Sequence, residues 1–139
     1  MKAAVIVSTA RAPIGSAYRG GFNNLAGPTL GAAAVSEALS RASVDPAEVD
    51  DVVMGCALQQ GSTGQNVARQ IALRAGMPVT VSGMSVDRQC SSGLMSVATA
   101  AKQVLHDGMD VVVGGGSDSI SLVQNEHMKL HRAADEELV

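Results

Sequence analysis

Residues 79–116, VTVSGMSV-DRQCSSG-LMSVATAAKQVL-HDGM-DVVVGGG, decide the fold. The first eight are β-branched and small and read as an extended segment. Residues 94–105 carry nothing more polar than Ser96 and Thr99 before the first charge at Lys102, and read as a helix. DVVVGGG, from Asp110, is a second apolar, β-branched run. Strand, helix and strand in succession, with the strands apolar throughout, predict an α/β fold with a mainly parallel sheet covered by helices on both faces. A surface helix carries a charged stripe, and the 94–105 helix has none. One sheet covers only one side of it, so a second layer from another domain or subunit is expected over the other.

Towards the N-terminus the alternation repeats. Asp51–Ala57, DVVMGCA, reads as a strand, followed by the glycine-punctuated loop LQQGSTGQN. The next helix aligns Val67, Ile71, Ala72 and Ala75 and ends at Gly76 and Pro78. In that loop Gln65, Asn66 and Arg69 are expected to hydrogen-bond across an interface. Further upstream, Leu30, Ala34, Val35, Ala38, Leu39 and Ala42 share one face of a helix opened by Pro28. Asp45–Glu48, DPAE, predicts a capped helical turn. Ala3–Val7 reads as a buried strand ended by Pro13 and Gly15 of STARAPIG. Beyond Gln124 the chain turns polar, with no apolar period.

The 139 residues suit one domain, and 46% hydrophobic with 17% charged residues exclude a disordered chain. Aromatic residues are 1% of the chain, so Ala, Val, Leu, Ile and Met must build the core, which favours close approach of layers. A net charge of −3 without a basic block argues against nucleic acid or an anionic membrane as partner, leaving a small ligand or another protein. The apolar run AAVIV is too short for a signal or membrane segment, and two cysteines make no secreted disulfide framework. A cytoplasmic location is expected.

Cys90 falls between the end of a predicted strand and the first turn of the apolar helix. There it faces unpaired backbone N–H groups and the positive end of the helix dipole, which stabilise a thiolate and offer donors to an oxyanion. Its own N–H is one such candidate donor. Ser91, Ser92 and Gly93 leave room for a ligand. Spacing alone leaves two readings open, a nucleophile or a small cysteine filling space. Cys56, inside VVMGCA, fits the second. A nucleophile needs a base, and the three histidines are poorly placed for it. His106 ends the helix that runs away from Cys90, about 24 Å off over sixteen residues. His127 and His131, four apart in the polar tail, read as a solvated helical face, and no metal site is expected. GGGSDS, Gly114–Ser119, lacks the spacing of a phosphate loop and reads as a structural turn.

Four strings together resemble the N-terminal part of the thiolases, the acetyl-CoA acetyltransferases and 3-ketoacyl-CoA thiolases. They are RAPIGSAYRG from Arg11, VDDVVMGCALQQGSTGQNVARQIAL from Val49, GMPVTVSGMSVDRQCSSGLMSV from Gly76 and GGGSDSISLVQNEHM from Gly114. The resemblance implies that Cys90 takes an acyl group from acyl-CoA as a thioester. It also implies that a C-terminal half supplies the activating His and a second Cys, neither matched here. CoA thioesters are then substrates and no separate cofactor is required. The implied fold is one half of an αβαβα layered structure with a mixed sheet, residues 1–120 forming the N-terminal α/β domain without its last strand and 121–139 the truncated start of a loop domain. Implied partners are acyl-CoA, CoA, a C-terminal half or another subunit, and further copies in a dimer or tetramer. The position of Asp87 is usually Asn in the family, and that of Asp118 usually Glu. A carboxylate three residues from Cys90 raises the thiol pKa unless Arg88 or backbone donors neutralise it. Competing readings are a ketoacyl synthase or hydroxymethylglutaryl-CoA synthase, which lack the GQN-AR string, and a non-catalytic thiolase-like binding or assembly module.

Overall fold

The structure, a computed structural model, describes residues 3–126. Helix α1 spans Gly27–Ala42, β1 Asp51–Gly55, α2 Val67–Arg74, β2 Ser82–Val86, α3 Ser92–His106, β3 Val112–Gly116 and α4 Ile120–Val123. Pro46–Glu48 and Gly61–Thr63 form single 3₁₀ turns. The first closes the expected capping box, with Asp45 accepting from the Ala47 N–H at 2.9 Å and Glu48 from the Asp45 N–H at 3.0 Å.

The three strands order β2-β1-β3, all pairings parallel, with Val53 opposite Met84 and Gly114. Strand β1 is buried along its whole length, which explains why its sequence does not alternate. Val52, Met54 and Cys56 face one side, where they form the core with Val35 and Leu39 of α1 and Val67, Ala68 and Ile71 of α2. The other side belongs to α3. The connections leaving the neighbouring strands β1 and β2 thus depart to opposite faces, the switch point at which α/β sheets open a crevice at their carboxyl ends.

Helix α3 is amphipathic in the reverse of the usual sense. It turns Ser92, Ser96, Ala100 and Gln103 to the sheet and exposes Leu94 (75%), Val97 (38%) and Leu105 (40%). Gln103 and Ser96 on the polar side bond to the sheet, while Gln103 Oε1 is buried without a partner. Gln103 Nε2 donates to Asp51 Oδ2 at 2.7 Å, Ser82 Oγ and the Val52 N–H each donate to Asp51 Oδ1 at 2.8 Å, and Ser96 Oγ donates to the Gly115 carbonyl.

Two expectations are corrected. Ala3–Val7 forms no strand, and Val5, Ile6 and Val7 are 75%, 77% and 73% exposed rather than buried. β-branched residues favour extension, but a strand is made by a neighbour's hydrogen bonds, and no described strand runs beside this segment. Asn66 and Arg69 are also not free. Asn66, in the left-handed conformation, caps α2 through the Arg69 N–H at 3.3 Å and donates to the Gly83 carbonyl at 2.8 Å. The Arg69 guanidinium donates to the carbonyls of Val79 (3.0 Å) and Val81, holding the approach to β2. Replacing Arg69 by methionine keeps the stem and removes these bonds, so a loss of about 1–3 kcal/mol is expected in urea unfolding. Residues 127–139, with His127, His131 and most of the expected loop-domain start, lie outside the described residues.

Candidate active site

Between β2 and α3 the chain makes a tight turn, Asp87–Ser91, that its own side chains close. Asp87 Oδ1 accepts the Gln89 N–H at 2.7 Å, and Gln89 takes a left-handed φ of 50°. A non-glycine residue there costs energy that the surrounding bonds must offset. Ser92 Oγ accepts the Arg88 N–H at 2.7 Å and donates to the Gln89 carbonyl at 2.6 Å, while Ser91 Oγ donates to the Arg88 carbonyl at 2.9 Å. The two serines, expected to make room for a ligand, are thus spent on the turn. The Asp87 carboxylate is engaged by a backbone donor.

This turn holds Cys90 exposed, with its thiol free of any disulfide, just ahead of α3. Gly93 and Leu94 follow, and their N–H groups, this early in a helix, have no intrahelical acceptor. The turn can stand over the sheet because Gly55, at the end of β1, has no side chain. A Cβ there would collide with the Ser92 carbonyl carbon and the Gly93 nitrogen.

Cys56 is the opposite kind of cysteine, completely buried. Its Sγ donates to Asp118 Oδ1 at 3.4 Å, and the same oxygen accepts the N–H groups of Ala57 at 3.0 Å and Leu58 at 3.3 Å. Burial pushes the Cys56 thiol above its ordinary 9.0, and the Asp118 charge adds to this against hydrogen bonds from Thr63 and Leu58. A raised folded-state pKa contributes stability that is fully present below the unfolded value and lost as pH climbs through the folded one. Urea midpoints are therefore expected to fall above about pH 9, and Cys56→Ala to remove that part of the slope.

Sequence reasoning missed this Asp118 link. The only signal was an acidic residue two positions beyond the GGG that ends β3. No described histidine comes near Cys90, since His106 ends α3 at the far side of the sheet. Among the described residues no group of three His, Cys, Asp or Glu could hold a metal, and no helix is long and apolar enough to cross a membrane. A hollow of about 330 Å³ lies between the loop from Arg11, α1 and Gly116–Ser121, and Cys90 does not line it.

The family profile described as thiolase, N-terminal domain, matches residues 4–137. The chain is 43% identical over 123 residues to a 3-ketoacyl-CoA thiolase of Bacillus subtilis, covering 88% of this chain and 32% of that one. It is 42% identical over 117 residues to an acetyl-CoA acetyltransferase of Cupriavidus necator, covering 84% and 29%. The crystal structure of the Bacillus anthracis acetyl-CoA acetyltransferase superposes with a TM-score of 0.83 at 36% identity, covering 97% of this chain and 34% of that one. The chain thus spans about a third of the length of these relatives.

Proposed function

The chain belongs to the thiolase family, and from that premise we propose that it is the nucleophile-bearing part of an acyl-CoA C-acyltransferase. In thiolysis, Cys90 as thiolate attacks the 3-keto carbonyl of a 3-ketoacyl-CoA such as acetoacetyl-CoA. The C2–C3 bond breaks, its electron pair leaves on C2 of the departing acetyl-CoA, and that carbon takes up a proton. CoA-SH then loses its proton to a base and its sulfur displaces Cys90 from the thioester, releasing the shortened acyl-CoA. Run backwards, the same steps are a Claisen condensation.

The observation that carries this reading is the exposed Cys90 on a braced turn at the start of α3. The base and the proton donor belong to the C-terminal half implied by the sequence resemblance. The apolar outer stripe of α3, Leu94, Val97 and Leu105, is the surface that half would cover. No cofactor beyond the CoA thioesters is needed. Cytoplasmic fatty-acid metabolism and a dimer or tetramer complete the proposal.

Iodoacetamide labelling with peptide mapping tests it. Cys90 is expected to label far ahead of Cys56, and equal labelling in the folded chain would remove the assignment. Alone, the chain is expected to show no thiolysis of acetoacetyl-CoA. Supplied with the remainder of a thiolase chain it should gain activity, and turnover without any partner would contradict the division of labour.

A further inference from the structure

Cys56 stands between two parts of the carboxyl edge of the sheet. Its side chain reaches the loop after β3 through Asp118, and its backbone N–H donates to the Val86 carbonyl at 3.0 Å. Val86 is the last residue of β2, immediately before Asp87 opens the Cys90 turn. The neighbouring N–H groups of Ala57 and Leu58 converge on the same Asp118 oxygen. On the other side, the Ser117 N–H donates to the Gly55 carbonyl at 3.0 Å, tying the Asp118 loop to the end of β1.

We propose that Asp118 is a positioning residue for Cys90. By gathering the Cys56 S–H and the Ala57 and Leu58 N–H groups, its carboxylate fixes the end of β1, and Cys56 passes that constraint through its backbone to the strand end from which the Cys90 turn is built. Without it, Gly55–Leu58 gains freedom, Cys56 becomes accessible, and the turn loses the rigid floor that keeps Cys90 in register with the N–H groups of α3. An acceptor with one more methylene can still reach these three donors, because the Asp118 residue is exposed and its loop lies at the edge. The proposal rests on Cys90 being the reactive thiol.

The test is pH-resolved iodoacetamide labelling of both cysteines in the chain as it stands, comparing wild type with Asp118→Ala, Asp118→Asn and Asp118→Glu. Asp118→Ala is expected to raise Cys56 labelling about tenfold through local opening, lower Cys90 labelling several-fold at neutral pH, and move the midpoint of the Cys90 pH profile upward. Asp118→Glu should restore all three. Asp118→Asn, which keeps one acceptor oxygen, carries the same test with smaller shifts should the alanine variant fail to fold. Unchanged labelling of Cys56 in a folded Ala or Asn variant overturns the clasp. An unchanged Cys90 profile beside an opened Cys56 overturns the positioning role, as does a glutamate variant that behaves like alanine. Lack of any Cys90 preference in the wild type would instead strike the proposed function, and the Cys56 readout stands apart from it.

Discussion

Replacing Cys90 by alanine is expected to lower thiolysis in the complemented enzyme by about 10⁴-fold or more, while the fold of this chain is unchanged. Both halves of that expectation come from the same geometry. Cys90 is exposed and no hydrogen bond or core contact of the turn runs through its sulfur. Removal of an exposed side chain of this kind costs less than about 0.5 kcal/mol. The turn is closed by Asp87, Ser91 and Ser92, which remain. In the proposed covalent route nothing substitutes for the missing sulfur, which would serve as both nucleophile and leaving group of the thioester. Steady-state assay and thermal unfolding on the same sample check it. Retained turnover excludes the covalent route, and a large fall in Tm would show that the sulfur is structural.

Gly55→Val is expected to destabilise the chain by about 3 kcal/mol or more, among the largest losses a single substitution can produce here. The collision is with backbone at Ser92 and Gly93, which cannot rotate away as a side chain could. Relief requires lifting the start of α3 from the sheet, which strains the Cys56 N–H bond to Val86, draws the Cys90 turn off its floor and uncovers Val53. Gly116, paired with Gly55 in the next strand, also comes close to Gly93, so the helix end lies in a channel made by two glycines. Chemical denaturation would read the loss directly. A midpoint within error of wild type would mean that α3 does not sit on β1 as described.

Much of the fold is legible in local composition. The β-branched runs at 51–57 and 110–116, the proline at the head of α1, the capping box at Asp45–Glu48 and the Gly76-Pro78 stop are each decided by interactions within a few residues. The misreading at Ala3–Val7 has the same source. Its β-branched sequence matches that of β1, and the difference lies in whether another strand supplies backbone partners, which no window of sequence records. The sequence leaves Asn66 and Arg69 without local partners, which points to hydrogen bonds across an interface, because their internal acceptors, Gly83, Val79 and Val81, are ten or more residues away.

For the candidate site, the sequence by itself determined that Cys90 stands between a strand and the start of a helix, and that Cys56 belongs to the apolar run of β1, one residue beyond the strand's end. It also carried the strings that place the chain among the thiolases. Only the tertiary structure decided what surrounds them. It laid the start of α3 over Gly55, joined the Cys56 N–H to the Val86 carbonyl, and brought Asp118 across 62 residues of sequence to the Cys56 thiol. The physical reason is range. Helix starts and apolar runs follow from neighbours along the chain, whereas a carboxylate finds its donors through the register of parallel strands, and that register exists only after the sheet has formed.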